Sequence, residues 1–97
     1  MASSNDYLLF VLDLLHEIPG ITTKKMMGEY LLYRDGLLFG GVYDNRFLVK
    51  KTASLTALNL REEIPYPGAK SMLLVDAEDT DTVRNIVEMV CLDLEKK

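Results

Sequence analysis

Between Met26 and Lys51 the chain reads MMGEYLLYRDGLLFGGVYDNRFLVKK, three strand-like runs with few polar residues inside any of them. A sheet wetted on one side alternates apolar and polar residues, whereas one covered on both sides reads as near-continuous apolar runs. The breaks fall at turn signals. Asp35-Gly36 suits a two-residue type I′ hairpin, whose central positions both need positive φ. Asp44-Asn45 makes a second tight turn. The pattern predicts strands over Met26–Arg34, Leu37–Tyr43 and Arg46–Lys51, with Gly28 as a bulge at the head of the first. Two-residue turns then set Leu32 opposite Phe39, Tyr30 opposite Gly41 and Val42 opposite Phe47. One face would carry Leu31, Tyr33, Leu38, Val42, Phe47 and Val49. The other would carry Tyr30, Leu32, Leu37, Phe39, Tyr43 and Leu48.

Helical periodicity flanks this meander. From Ser3-Ser4-Asn5-Asp6, where Ser3 and Asp6 have capping-box spacing, a helix is expected to about Glu17. Tyr7, Leu8, Val11, Leu12, Leu14, Leu15 and Ile18 share its broad apolar arc, flanked by Leu9 and Phe10. Pro19-Gly20 stops it. Ile21–Lys25 leads into the first strand. Thr52-Ala53-Ser54 opens a short helix to about Leu60 that buries Leu55 and Leu58. A stiff connection with Pro65 and Pro67 around Tyr66 follows, with room for a short edge strand at its start. Lys70–Asp76 reads as a further strand. A last helix over about Asp81–Leu94, capped by Asp79 or Thr80, turns Val83, Ile86, Val87, Val90 and Leu94 to the core. The order α-β-β-β-α-β(β)-α is an α+β fold, a two-layer α/β sandwich with an antiparallel meander.

Length changes the picture next. Ninety-seven residues make one domain, 1–97, with enough chain for one modest core. One helical layer can cover one face of the sheet, so the other is expected to meet a second chain. A homodimer is the expectation, with Tyr30, Leu32, Phe39, Tyr43 and Leu48 as the contact face and Met89 and Leu92 as a secondary surface. No apolar run approaches the roughly 20 residues of a membrane helix, and MASSND is no secretory signal. A lone cysteine, Cys91, fits a reducing compartment. A cytoplasmic protein with no membrane contact is expected.

Net charge is −4, unevenly spread: the middle is mildly basic and both ends are acidic. Non-specific nucleic-acid affinity comes from Lys and Arg neutralising phosphates. Direct DNA binding is therefore not expected, although Lys24, Lys25, Lys50, Lys51 and Lys70 define the patch an accessory nucleic-acid module would use. Candidate chemistry is sparse. His16 reads as a helix-end residue and Cys91 as a buried, inert thiol. No cluster has metal-ligand spacing, and a calcium loop beginning at Asp76 fails because Asp81 and Val87 stand where it needs Gly and Glu. Gly40-Gly41, mid-strand, marks close approach of backbone. A small-ligand pocket near Glu29, Tyr30 and Gly40-Gly41 is a further alternative; Glu29 otherwise reads as a hydrogen-bonded strand end. No catalytic, cofactor-binding or metal residue is assigned, no cofactor is expected, and no enzyme activity.

The ordered segments Met26-Met27-Gly28-Glu29-Tyr30, Phe39-Gly40-Gly41, Phe47-Leu48-Val49-Lys50 and Pro65-Tyr66-Pro67-Gly68-Ala69-Lys70 resemble the N-terminal domain of the TfoX/Sxy family. The resemblance spans nearly the whole chain. It implies a two-layer, secretion-chaperone-like fold. It also implies a regulatory domain acting through protein contacts, since named members control bacterial competence and are thought to work with the cyclic-AMP receptor protein at promoters. A transcription-regulator partner is an expectation of that kind. Those members carry a second domain, and a stand-alone copy of the first is expected here. The matching positions are strand apolar residues and turn glycines, so no catalytic residue is implied.

Overall fold

The computed structural model describes residues 3–95. Helix α1 (Asn5–Leu14) starts where the Tyr7 N–H donates to the Ser4 hydroxyl at 3.1 Å. Ser4, not Ser3, is thus the cap, and the last turn unwinds before Pro19. Four strands follow in a meander: β1 (Ile21–Met26), β2 (Glu29–Arg34), β3 (Leu37–Val42) and β4 (Phe47–Val49). A 3-10 helix (Ala53–Leu58) leads to β5 (Glu62–Glu63), then β6 (Met72–Leu74) and helix α2 (Thr80–Glu95). All pairings are antiparallel, and the sheet order is β1-β2-β3-β4-β6-β5. The expected α+β, two-layer architecture is present, with one more strand in the meander than the pattern suggested.

That strand arises from a turn read as a bulge. Met27 has φ 52° and Gly28 φ 83°, so they form a two-residue hairpin turn, with Met26 paired to Glu29. Ile21–Met26 carries no apolar alternation because it lies at the sheet edge, where no side chain is fully buried. Its β-branched residues suit extended backbone without needing a covered face. Asp35-Gly36 and Asp44-Asn45 turn with positive φ at both positions, as expected.

The bulge lies instead in β3. Leu32 pairs with Gly40 but Tyr33 pairs with Leu38, which leaves Phe39 as an extra residue. A one-residue slip moves every later side chain to the opposite face. The helices therefore cover Tyr30, Leu32, Phe39, Val42, Phe47 and Val49, which join α1 and α2 residues in one core. Leu31, Tyr43 and Leu48 cluster on the helix-free face, with Tyr33, Leu38, Met72 and Leu74 packed beside them. The expected grouping holds on β2 and the start of β3 and is inverted after the bulge. In α2, Val83, Ile86, Val87, Val90 and Cys91 are buried, and the Asp79 carboxylate caps the helix by accepting from the Thr82 N–H at 2.8 Å. Leu55 is buried as expected, while Leu58 is exposed because the short helix ends there in a left-handed Asn59.

Candidate functional site

The expected contact residues divide between the two faces. Tyr30, Leu32 and Phe39 lie in the helix-side core, whereas Tyr43 and Leu48 lie on the other side of the sheet. Met89 is half-buried against the core, and Leu92 is exposed on α2. The structure thus brings Tyr43 and Leu48 together and adds Leu31, Tyr33, Leu38, Met72 and Leu74 to them.

This face is partly covered by the chain itself. Leu31, Tyr43 and Leu48 are buried in a single copy, more than the sequence led one to expect. The segment from Ile64 to Ala69 covers part of the face, with Tyr66 over Tyr43. Its anchor is Arg46, whose guanidinium donates to Glu63 at 2.9 Å and to the carbonyls of Ile64 and Pro65 at 3.2 and 3.4 Å. Arg61 holds the other Glu63 oxygen at 2.7 Å. Two prolines stiffen the segment, and Pro65 is buried while Tyr66 stands 59% exposed above Tyr43, ring centroids 6.3 Å apart. Burial, reinforced by Tyr66, Glu29 and Tyr33 nearby, pushes the Tyr43 phenol above its ordinary value, so it stays neutral at physiological pH.

Next to this cover lies an open trough of about 810 Å³. Leu38, Tyr43, Tyr66 and Met72 give it an apolar surface; Lys50 and Lys70 stand on its rim. Tyr66 and Met72 were not among the residues expected to matter. A lone aromatic between two prolines was the available signal for the first. Nothing pointed to the second while Met72 was an ordinary strand residue.

Glu29 has a structural role. Its carboxylate accepts from the Ser3 hydroxyl at 2.6 Å and from the Asp44 N–H at 3.1 Å to each oxygen. The Ser3 hydroxyl in turn accepts from the Asn45 N–H at 3.0 Å. One side chain therefore ties the chain start, the Met27-Gly28 turn and the Asp44-Asn45 turn together. Tyr30 points into the opposite core, so the proposed Glu29–Tyr30–glycine pocket is not assembled. Gly40 and Gly41 serve close approach: a Cβ on Gly41 would lie 2.6 Å from the Tyr30 carbonyl and 2.7 Å from the Tyr43 ring, and one on Gly40 would strike the Leu48 carbonyl. The nucleic-acid patch is also divided. Lys24 and Lys25 sit on edge strand β1, paired with Leu31 and Tyr30, while Lys50, Lys51 and Lys70 line the trough. Lys51 is paired with Glu62 at 3.2 Å.

His16 and Cys91 are not brought together. The His16 Nδ1 lies 2.7 Å from the Asp13 carbonyl at the end of α1. Cys91 is buried, and that burial raises its thiol pKa despite the nearby Arg34. Among the described residues no group of three or more His, Cys, Asp or Glu could hold a metal ion, and no helix is long and apolar enough to cross a membrane.

An antiparallel sheet with helices on one side and a half-covered apolar trough on the other defines an α+β domain. The model of the TfoX N-terminal domain family matches residues 13–87, and the chain belongs to that family. It is also 37% identical over 78 residues to a protein of Spirochaeta aurantia described as an uncharacterized 12.7 kDa protein in the trpE 5′ region. That match covers 78% of this chain and 68% of the relative.

Proposed function

We propose that the chain is a non-enzymatic regulatory domain that works by holding another protein on the helix-free face of its sheet. The observation that supports this most is the trough itself, a concave apolar surface over Leu38 and Met72 with an exposed tyrosine at its side. Aromatic and Met side chains around a concavity are what protein-binding centres favour. The polar groups nearest the sheet are engaged in holding its turns, as Glu29 and Arg46 illustrate. Family membership supports a regulatory role of this kind. Selection of displayed peptides on the purified chain tests the reading. Enriched peptides should lose binding to Leu38→Asp and Met72→Asp variants whose circular dichroism is unchanged. Failure to enrich any binder, or binders indifferent to both substitutions, would refute it.

Self-association belongs on a different surface. The residues of β1 whose backbone faces away from β2 are Ile21, Thr23 and Lys25, as follows from the hydrogen-bonded Met26–Glu29 hairpin pair. A two-fold antiparallel pairing centred on Thr23 sets Ile21 against Lys25 and Thr22 against Lys24, with no lysine directly opposite another. This supports a homodimer formed by sheet extension rather than across the face. Sedimentation should show a dimer that Thr23→Pro converts to monomer, because proline removes a ladder donor. A strictly monomeric wild-type chain would end this reading.

A further inference from the structure

We infer that the trough binds an extended, acidic protein segment: an apolar side chain seated on Leu38 and Met72, flanked by carboxylates that meet Lys50 and Lys70. The proposal rests on the interaction reading above and narrows it to a class of partner sequence.

Charge and register carry the inference. The chain has 15 Asp and Glu against 11 Lys and Arg. Yet among the described residues Lys50 and Lys70 make no ion pair, while Lys51, one position along, does. Both unpaired ammonium groups belong to the rim of the same concavity. Register explains why they act together. Leu48 pairs with Leu74 and Val49 with Leu73, so continuing the ladder sets Lys50 beside Met72. Lys70 lies two residues from Met72 and shares its face. The two lysines are therefore diagonal neighbours, about 7–8 Å apart at their bases, with Met72 adjacent to each.

A bound strand matches that spacing. Alternate residues of an extended chain are about 6.6 Å apart and share a face, so when residue i descends onto Met72 the acids at i−1 and i+1 point away from the floor, and Lys50 and Lys70 meet them by rising past the flanks of the segment. Lysine stems can lie along apolar surface with their charged heads raised, which lets the floor and rim be satisfied by one segment. Tyr66 offers its exposed ring to the next apolar residue. The trough is open along its length, which suits an extended segment better than a small molecule, since small-ligand sites enclose most of what they bind.

The test is a titration of the isotope-labelled full chain with acetyl-Ser-Glu-Leu-Glu-Phe-Glu-Ser-amide, followed by backbone amide shifts. Shifts should concentrate at Lys50, Tyr66, Lys70 and Met72 and weaken with added salt. The Lys50→Gln, Lys70→Gln chain should bind about tenfold more weakly, the loss of two exposed ion pairs. A Lys50→Glu, Lys70→Glu chain should prefer the peptide with Lys in place of Glu, which separates lost charge from lost folding. Equal affinity for the peptide with Gln in place of Glu would overturn the acidic specificity and leave the interaction face standing. No shift in the trough with any peptide would overturn both. Stronger trough shifts with inorganic phosphate or a short oligothymidylate than with the acidic peptide would overturn the assignment of a protein segment.

Discussion

Replacing Glu29 by Ala should be the most destabilising single change at the turn end of the sheet. The carboxylate receives the Ser3 hydroxyl at 2.6 Å and the Asp44 N–H at 3.1 Å, and Ser3 relays to the Asn45 N–H. Hydrogen bonds to a charged group contribute about 1.5–3 kcal/mol each when buried. Glu29 is only half-buried, which argues for the low end of that range. Allowing for water replacing part of each bond, the expected loss is about 2–3 kcal/mol for Glu29→Ala, and about 1 kcal/mol for Glu29→Gln, which keeps one acceptor oxygen. Urea unfolding should show it as a midpoint lowered by about 1–2 M at unchanged slope. Amide exchange should accelerate at Asp44 and Asn45 before it does elsewhere. Ser3→Ala should couple with Glu29→Ala by about 0.5 kcal/mol or more, since the two share one network. A loss under about 0.5 kcal/mol with Asp44 still protected would refute the clamp.

Further consequences are separable. Gly41→Ala should destabilise by about 1–3 kcal/mol, read by thermal melting, because its Cβ meets the Tyr30 carbonyl and the Tyr43 ring; an unchanged melt would show that β2 and Tyr43 yield freely. Arg46→Ala should release the Ile64–Ala69 cover, seen as faster proteolysis there at nearly constant far-UV signal. Intact protection would mean that the prolines alone hold it. Cys91 should resist thiol reagents in the folded chain. Burial raises its pKa, so the protonated thiol's contribution to stability is full below the unfolded thiol value, about 8.5, and is lost as pH climbs through the folded value. Prompt labelling at neutral pH would contradict its burial. Asp79 has the opposite sign: the Thr82 cap lowers its pKa, so α2 should lose this support as pH falls below the ordinary carboxylate range. An acid limb unchanged in Asp79→Asn would remove that role.

Much of the architecture could be read from residue pattern because local and tertiary preferences agree. The Asp35-Gly36 and Asp44-Asn45 turns and the α2 stripe of Val83, Ile86, Val87 and Val90 are cases where local chemistry leaves few options. The β1 strand was obscured because an uncovered edge needs no apolar alternation, and the run Thr22-Thr23-Lys24-Lys25 carries none. The trough was legible only in part. The apolar pattern points to Tyr43 and Leu48, but Tyr30, Leu32 and Phe39 belong to the opposite face once Phe39 bulges. Mid-strand glycine is a known companion of bulges, so Gly40-Gly41 held the signal, and only strand pairing shows which residue is extra.

The bulge also constrains how this domain can diverge. Substitutions between Leu38 and Gly41 alter fit, whereas regular pairing of this stretch at its present length would exchange inside and outside for the rest of β3 and for β4, exposing Phe47 and Val49 while driving Tyr43 and Leu48 under the helices. Descendants can therefore drop the one extra residue and straighten the strand with both faces kept, but a lineage that lost the bulge at full length would have to rewrite both halves of its molecular surface at once.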